Sequence, residues 1–270
     1  MGRGIVLWLC YFLTVCGCKA LVPSNERAWV PALSQLATAD FQGDLVTVHN
    51  IRNARFTQPD ESRIELEYYD ATFDLRKLDT VDLIVVPFAD LPDLAHVMVS
   101  FGFGGERYVC ISAEVRIEAT ETYDPLKALF NQYELQYVVG DERDLINLRT
   151  TARLVDVYLY PTKATPAQAR KMFENMLRRA NQLADEPEFY NTLTNNCTTN
   201  IVRHVNELRP NLIRYGTETL LPAHSPRLAY DLGLIDNRRP FAEVQASARI
   251  NELAYRHRHD EDFSQKIRRR

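Results

Sequence analysis

The clearest structural signal in this sequence is a hairpin pattern, His96-Val-Met-Val-Ser-Phe-Gly-Phe103, then Gly104-Gly105-Glu106, then Arg107-Tyr-Val-Cys-Ile-Ser-Ala-Glu-Val-Arg-Ile117. Side chains alternate in character on both sides of the glycine-rich segment, which is typical of two antiparallel strands joined by a short turn. The pattern therefore predicts an antiparallel hairpin, with residues 104–106 as its turn.

The sequence before and after the hairpin predicts both strands and helices, which indicates an α+β fold. β-Branched and aromatic residues predict further strands at residues 46–56, 63–73, 83–88, 133–139 and 154–160. Helical patterns predict a crossover at residues 75–83, a short piece near 125–131, a helix at 166–184 and a helix from about Asn196 to before Pro210. The long helix is predicted to start with a capping box formed by Thr165 and Gln168. Pro166 would occupy the first helical position. We expect an antiparallel sheet packed against helices.

The first residues of the chain predict export. An apolar run over residues 5–15 is too short to span a bilayer, which needs roughly 20 residues, and it resembles the core of a signal peptide. The following Val15-Cys16-Gly17-Cys18 resembles a bacterial lipobox, which predicts that residues 1–17 are removed and that Cys18 is lipidated. A cut after Ala20, which would release a soluble exported protein, is the alternative.

The predicted organisation has four parts. Residues 1–17 form the lipoprotein signal peptide, residues 18–44 a tether and lead-in with a short helix, residues 45–236 the catalytic domain and residues 237–270 a helical or disordered tail. The closing residues 266–270 are expected to be a solvated tail. Lys19 after the lipidated cysteine favours the outer membrane in a cell with two membranes. The predicted location is therefore the periplasmic side of the cell envelope.

Composition excludes several classes of function. The formal net charge is −4 with acidic and basic residues intermixed, so no nucleic-acid partner is expected. Beyond Cys18 the chain keeps Cys110 and Cys197, which is too few for a disulfide framework, although one bridge between them stays open in an oxidising compartment. Neither belongs to a Cys-x-x-Cys pair, and no metal or cofactor is predicted.

A candidate nucleophile, Cys197, follows the polar segment that runs from Tyr190 to Asn196. Asn195 or Asn196 would cap the helix that starts there, so Cys197 falls in its first turn. Unpaired backbone N–H groups and the helix dipole favour a thiolate at this position, and the same N–H groups can serve as an oxyanion hole. Tyr190 and both asparagines are candidates for lining the site. The alternative is that Cys197 is a small buried hydrophobe.

A thiol nucleophile needs a base, and His96 is the histidine that begins a strand of the hairpin. With a three-residue turn His96 lies opposite Glu114, which could orient the imidazole and stabilise its charged form. A two-residue turn would change the partner, and Ser112 is the next polar candidate. His204 lies two helical turns beyond Cys197, about 10 Å along the axis, and is expected to be structural. A satisfied core histidine is the alternative for His96.

These residues and several motifs resemble the Lnb N-terminal periplasmic domain family over about residues 40–236. The motifs are Ala95-His96, Ser100-Phe-Gly-Phe103, Ser112-Ala-Glu-Val-Arg116, Tyr133-Glu-Leu135, Asp141-Glu-Arg-Asp144, Leu159-Tyr-Pro161, Phe189-Tyr-Asn-Thr-Leu-Thr-Asn-Asn-Cys-Thr-Thr-Asn200 and Leu228-Ala-Tyr230. The resemblance implies a circularly permuted papain-like thiol enzyme related to lipoprotein N-acyltransferases, with Cys197 as nucleophile and His96 as base. Those acyltransferases carry further membrane-spanning segments, and no apolar run of that length follows residue 18 here.

The sequence thus predicts a membrane-tethered thiol acyltransferase or hydrolase that acts on a lipid, a lipoprotein or another acyl substrate. The same residues would also suit an envelope peptidase or amidase, and this is the enzymatic alternative. A non-catalytic envelope-binding lipoprotein is the alternative if Cys197 and His96 lie apart or if the thiol is bridged. An apolar channel beside the pair would favour a lipid, and a polar open cleft a peptide.

Overall fold

The computed structural model describes residues 22–56, 59, 64–216 and 221–269 and has the predicted α+β architecture. Its strands are β1 (Thr38–Gln42), β2 (Leu45–Phe56), β3 (Ile64–Asp74), β4 (Leu78–Phe88), β5 (Leu91–Phe103), β6 (Arg107–Arg116), β7 (Tyr133–Asp141), β8 (Tyr158–Pro161) and β9 (Phe189–Tyr190). Its α-helices are α1 (Pro125–Leu129), α2 (Glu142–Asn147), α3 (Pro166–Asp185), α4 (Cys197–Leu208), α5 (Ser225–Asp231), α6 (Phe241–Ala248), α7 (Asn251–His257) and α8 (Phe263–Lys266). The predicted signal peptide, Cys18 and Lys19 lie outside the described residues.

The strands form one sheet in the order β1-β2-β7-β6-β5-β4-β8, with β3 paired to β2 and β9 to β7. The pairs are antiparallel apart from β2 and β7, which meet in parallel where Arg52 pairs with Gly140. The hairpin register is the predicted one, since Phe103 pairs with Arg107. The strands therefore place the ends of β5 and β6 that carry His96 and Glu114 side by side in the middle of the sheet.

Helices cover both faces of the sheet. On the first face α3 and α4 pack over the sheet, and Phe173 of α3 contacts Phe101 of β5 with ring centroids 5.0 Å apart. On the second face α2, α7 and α8 enclose a smaller core that contains Met98, Leu145 and Phe263. Alternate residues of the central strands therefore enter different cores, so that both faces exclude water.

The predicted helix at residues 75–83 is wrong. Residues Leu75–Lys77 make one 3-10 turn capped by Asp74, and β4 starts immediately after it. Leu75, Leu78 and Val81 are buried in the first core, while Asp79 and Thr80 are exposed. Apolar residues three positions apart suggest one face of a helix, so this part of the sequence lacks the period of two that marks a strand.

Other boundaries differ from the sequence prediction in smaller ways. The strand predicted at residues 154–160 is shorter, because Leu154 has a left-handed backbone with φ of 54° and β8 begins at Tyr158. The lead-in contains a 3-10 turn at Pro31–Leu33 and also β1, which the sequence analysis missed. The remaining predicted strands and the helices after Thr165 and Asn196 are present.

The expectation that residues 266–270 form a solvated tail is wrong for the residues described. Ile267 is fully buried in the second core, and the guanidinium of Arg268 forms ion pairs with Asp82 at 2.7 Å and Glu142 at 2.6 Å. Glu142 is itself completely buried. Ile267 therefore binds this segment to the sheet by apolar packing, and Arg268 binds it by ion pairs.

Candidate active site

The N-terminus of α4 is fixed by a reciprocal cap. The Oδ1 atom of Asn196 accepts a hydrogen bond from the N–H of Thr199 at 2.8 Å, and the N–H of Asn196 donates to Oγ1 of Thr199 at 2.8 Å. Of the two predicted caps, Asn196 is therefore the cap. Cys197 is the first helical residue, where the positive end of the helix dipole favours a negative sulfur.

Asn195 and Tyr190 hold the segment that leads to this helix. Asn195 donates from Nδ2 to the carbonyl oxygen of Phe189 at 2.9 Å and accepts from Nδ2 of Asn200 at 3.0 Å. The hydroxyl oxygen of Tyr190 faces the backbone N–H of Cys197. Burial and the negative charge at Cys197 raise the pKa of Tyr190, so its hydroxyl stays protonated and can donate a hydrogen bond.

The sulfur of Cys197 lies against the end of β5. The imidazole of His96 and the backbone N–H of Val97 lie close enough to it to stabilise a negative charge, and Oγ1 of Thr198 lies 3.9 Å away. Burial opposes ionisation of the thiol, but the positive charge and donor groups of His96 outweigh burial and lower the pKa of Cys197. The surroundings thus favour a thiolate paired with an imidazolium.

His96 and Glu114 lie just beyond the paired part of the hairpin. Pairing between β5 and β6 runs from Phe103 and Arg107 to Val99 and Ile111, and both site residues lie three positions past this last pair. β5 stays paired with β4 at His96, and β6 stays paired with β7 at Glu114. The two strands therefore remain anchored on their outer sides where the site forms between them.

Ser112 and Glu114, which the sequence offered as alternatives, both contact the imidazole. Nε2 of His96 lies 2.6 Å from Oγ of Ser112 and 3.3 Å from Oε1 of Glu114. The Ser112 hydroxyl donates to the same carboxylate oxygen at 2.7 Å, so it accepts from the imidazole. Because Nε2 is engaged in this way, Nδ1 is the ring nitrogen left for the thiol of Cys197.

The charged groups of this cluster shift one another's pKa values. Burial would lower the pKa of His96, but the negative charges of Glu114 and Cys197 outweigh burial and raise it to about 9. Burial would likewise raise the pKa of Glu114, but the positive charges of His96 and Arg149 hold it well below its usual range. The cluster therefore favours an ionised carboxylate and an imidazolium, and it favours ionisation of the thiol beside them.

Arg149 is a site residue that the sequence analysis did not identify. Its Nη2 donates to Oε1 of Glu114 at 2.8 Å, and its Nη1 donates to the carbonyl oxygen of Leu145 at 2.9 Å. It lies in a π-helical turn, Leu148–Ala152, and such turns are frequent at functional sites. No periodicity signals a π turn, so this buried cation could not be found from the sequence.

An apolar cavity of about 200 Å³ lies beside the thiol, between β4, β5, α3, α4 and α5. Val97 of β5 and Thr198 and Ile201 of α4 line the part next to Cys197. Val205 and Leu208 continue the wall along the helix, away from the sulfur. The walls of the cavity are mainly apolar, and it borders Val97 and Thr198, the chain neighbours of His96 and Cys197, while Cys197 and His96 are not among its lining residues.

The remaining sequence candidates lie outside this cluster. Cys110 and Cys197 are both free thiols, and Cys110 is fully buried in the second core while Cys197 packs with the first. His204 is buried and hydrogen-bonds from Nε2 to the hydroxyl of Tyr137 at 3.0 Å, a packed position on α4. Across the described residues, no group of three or more His, Cys, Asp or Glu side chains is arranged to hold a metal ion.

The fold and the site define an α+β domain with a buried thiol, imidazole and carboxylate cluster at the start of a capped helix. The chain belongs to the Lnb N-terminal periplasmic domain family, whose model matches residues 65–230. Family membership supports a periplasmic location. No curated protein and no solved structure matches the chain. Among the described residues, no helix combines the length and apolar character needed to cross a membrane.

Proposed function

We propose that this protein is a membrane-tethered periplasmic thiol acyltransferase or hydrolase that acts on a lipid or lipoprotein acyl substrate. The observation that carries the proposal is that the Cys197 thiol lies beside the imidazole of His96, whose Nε2 is 2.6 Å from Oγ of Ser112 and 3.3 Å from Oε1 of Glu114. A nucleophile, a base and an orienting carboxylate in this order are the elements of covalent acyl chemistry.

The reaction would begin with attack of the Cys197 thiolate on the acyl carbonyl carbon. A carbon–sulfur bond forms, and the oxyanion is held by the N–H of Thr198 in the first turn of α4 and by the Tyr190 hydroxyl. The carbon–oxygen bond of the donor ester then breaks, and the leaving alcohol takes a proton from the His96 imidazolium. An acceptor amine or water next attacks the thioester and gives its proton to His96, while the carbon–sulfur bond breaks and the sulfur leaves as the thiolate.

The cavity beside the thiol supports an acyl chain as the bound group. Its wall is built mainly from aliphatic side chains of β4, β5, α3 and α4. Such a surface favours a hydrocarbon chain, whose burial is driven by removal of apolar area from water, and it offers few partners to a peptide backbone. This contrast makes a lipid or lipoprotein acyl donor a better fit than an envelope peptide.

The tether forms part of the same proposal. Lipidation at Cys18 would hold the domain at a membrane on the periplasmic side, and Lys19 favours the outer membrane. A periplasmic family and an apolar acyl cavity both suit a substrate that resides in a membrane. The lipidated residue would therefore keep the enzyme at high local concentration relative to its donor.

The proposal is tested by the rate at which iodoacetamide labels Cys197 as a function of pH. Because His96 lowers the pKa of this thiol, we expect labelling to rise at a pH below the ordinary thiol pKa of about 8.5. In His96→Ala the rise should move to higher pH, with a rate near pH 7 that is at least about tenfold lower. Mass spectrometry of tryptic peptides identifies the labelled cysteine.

Cys110 supplies an internal control for this measurement. It is completely buried, and burial raises its pKa well above the ordinary value, so it should stay unlabelled in the folded protein. A Cys197→Ala variant gives the background rate. A thiol at position 197 that is inert below pH 8.5, or indifferent to His96, would contradict the enzymatic proposal and leave a binding role.

A bulky side chain deep in the cavity should shorten the acyl chains that react. Val205 lines the cavity eight residues after Cys197, about 12 Å along the helix axis. We expect Val205→Trp to slow acylation of Cys197 by long-chain p-nitrophenyl esters by about tenfold or more, because the chain end and the indole compete for one space. Acetyl and butyryl esters serve as the control within the same variant, and the nitrophenolate burst measures acylation. Equal losses for short and long chains would refute the cavity as the acyl site.

A further inference from the structure

Large apolar side chains are exposed near the first turn of α4, which begins with Cys197. Tyr123 is 49% exposed, Phe130 66%, Leu193 51% and Tyr215 61%. We call these four residues the rim. Exposed side chains of this size are common singly, but a contiguous group of them marks a surface that binds something.

Hydrogen bonds place the rim around the first turn of α4. Leu193 belongs to the segment that ends at Cys197, and its neighbour Thr192 donates from its N–H to the carbonyl oxygen of Ala128 at 3.2 Å, two residues before Phe130. Tyr215 donates to the carbonyl oxygen of Thr199 at 3.4 Å.

Contacts of Tyr123, and two further exposed apolar side chains, show how far this apolar surface extends. Tyr123 stacks on Tyr133 with ring centroids 6.0 Å apart, and Tyr133 pairs with Tyr190 of β9. Phe88 and Leu91 pair with each other at the β4–β5 turn, at the start of the strand that carries His96, and both are exposed. Exposed apolar side chains therefore lie on the elements that carry Tyr190 and His96.

The start of the described chain lies on the same side. Ser24, two residues after the exposed Val22, donates from its N–H to Oε1 of Glu134 at 3.1 Å. Glu134 pairs with Phe189 in β9, the strand that carries Tyr190 to the Cys197 amide. The four residues from position 18 to Val22 reach at most about 14 Å. A lipid on Cys18 would therefore hold this face against a membrane.

We propose that the rim inserts into the surface of a lipid bilayer, so that the entrance to Cys197 opens directly into the lipid and an acyl chain enters the cavity without crossing water. This inference rests on the proposed function. Tyrosine suits the boundary between headgroups and acyl chains because its ring is apolar and its hydroxyl stays wet, while phenylalanine and leucine reach deeper. A free lipid surface is thus the partner whose chemistry fits both the rim and the cavity behind it.

The test is flotation with phosphatidylcholine vesicles, using the chain from residue 18 onward with Cys18→Ser. This form omits the apolar residues 5–15 and the lipid, both of which would bind vesicles by themselves. We expect Leu193→Ser/Tyr215→Ser to lower the vesicle partition coefficient by at least about tenfold, since each change removes apolar area from the contact. The matched control is Leu45→Ser/Tyr255→Ser, which removes the same residue types from exposed positions on β2 and α7 and should float as the unaltered protein does.

Cys197→Ala separates this inference from the proposed function. It should float normally, because docking needs no chemistry at the sulfur. Absence of flotation in the unaltered chain, or an equal loss in rim and control variants, overturns membrane docking whatever the activity. Concentration-dependent dimers that the rim variant abolishes would also overturn it, since they would assign the rim to self-association. Circular dichroism and urea unfolding verify that each variant folds.

Discussion

Arg268→Met should destabilise the fold by about 3–5 kcal/mol, because it removes the guanidinium that pairs with the buried carboxylates of Asp82 and Glu142. Arg268 contacts Asp82 and Glu142 at 2.7 and 2.6 Å, and its guanidinium lies 3.8 Å from the ring centroid of Tyr108. Asp82 and Glu142 are both buried, so little water is available to solvate their charges. The midpoint of urea unfolding, measured at constant pH, gives the loss of stability.

Two variants make this prediction specific. Arg269 is exposed, so Arg269→Met should change the free energy of unfolding by less than about 0.5 kcal/mol and serves as the matched control. Arg268→Met/Glu142→Gln should recover part of the lost stability, because it removes the charge of Glu142, a fully buried carboxylate that has lost its guanidinium partner. A loss as small as that of Arg269→Met would mean that the three charged groups are solvated rather than locked together.

Much of the site could be predicted because its determinants are local in sequence. The turn at residues 104–106 fixes the register of β5 and β6, and the register alone brings Glu114 toward His96. The cap at Asn196 is likewise encoded within four residues, since Thr199 supplies its partner. Short-range rules of turn and cap chemistry therefore place Glu114 near His96 and Cys197 at the start of α4, whereas the pairing of Cys197 with His96 was implied by the family resemblance.

The parts that could not be predicted depend on distant segments. Arg149 reaches Glu114 from 35 residues away, and Arg268 reaches Asp82 from 186 residues away. A basic residue near a chain end usually marks a solvated tail, and nothing local to Arg268 contradicts that interpretation. The cavity forms only where five elements meet. In the sequence, the apolar residues that line it have the same pattern as ordinary core residues, so they could not be assigned to a cavity.

Glu114→Gln preserves the shape of the side chain but removes its charge. It should slow acylation of Cys197 by about 10²–10⁴-fold. The carboxylate raises the pKa of His96 to about 9, and the amide cannot do so. Without that charge the imidazolium is less stable, the thiolate loses its partner and the pKa of Cys197 rises toward its ordinary value. The measured quantity is the nitrophenolate burst rate from pH 5 to pH 10, a range that spans the ordinary thiol pKa of about 8.5.

Glu114→Gln should also change how the free energy of unfolding depends on pH. The pKa of His96 is raised from 6.5 to about 9 on folding, so its contribution to stability is fully present below pH 6.5 and is lost as the pH rises through 9. In Glu114→Gln this particular loss between pH 6.5 and 9 should largely disappear. The variant also leaves Arg149 buried without its anion, which lowers stability at every pH.

Arg149 allows the two consequences of Glu114→Gln to be separated. Adding Arg149→Met removes the unpaired cation, so the double variant should regain stability relative to Glu114→Gln while acylation stays slow. Burst rates that recover together with stability would show that the carboxylate acts through folding alone. Rates that stay low, with the pH profile still shifted to higher pH, would show that the charge of Glu114 acts on His96 and through it on the sulfur of Cys197.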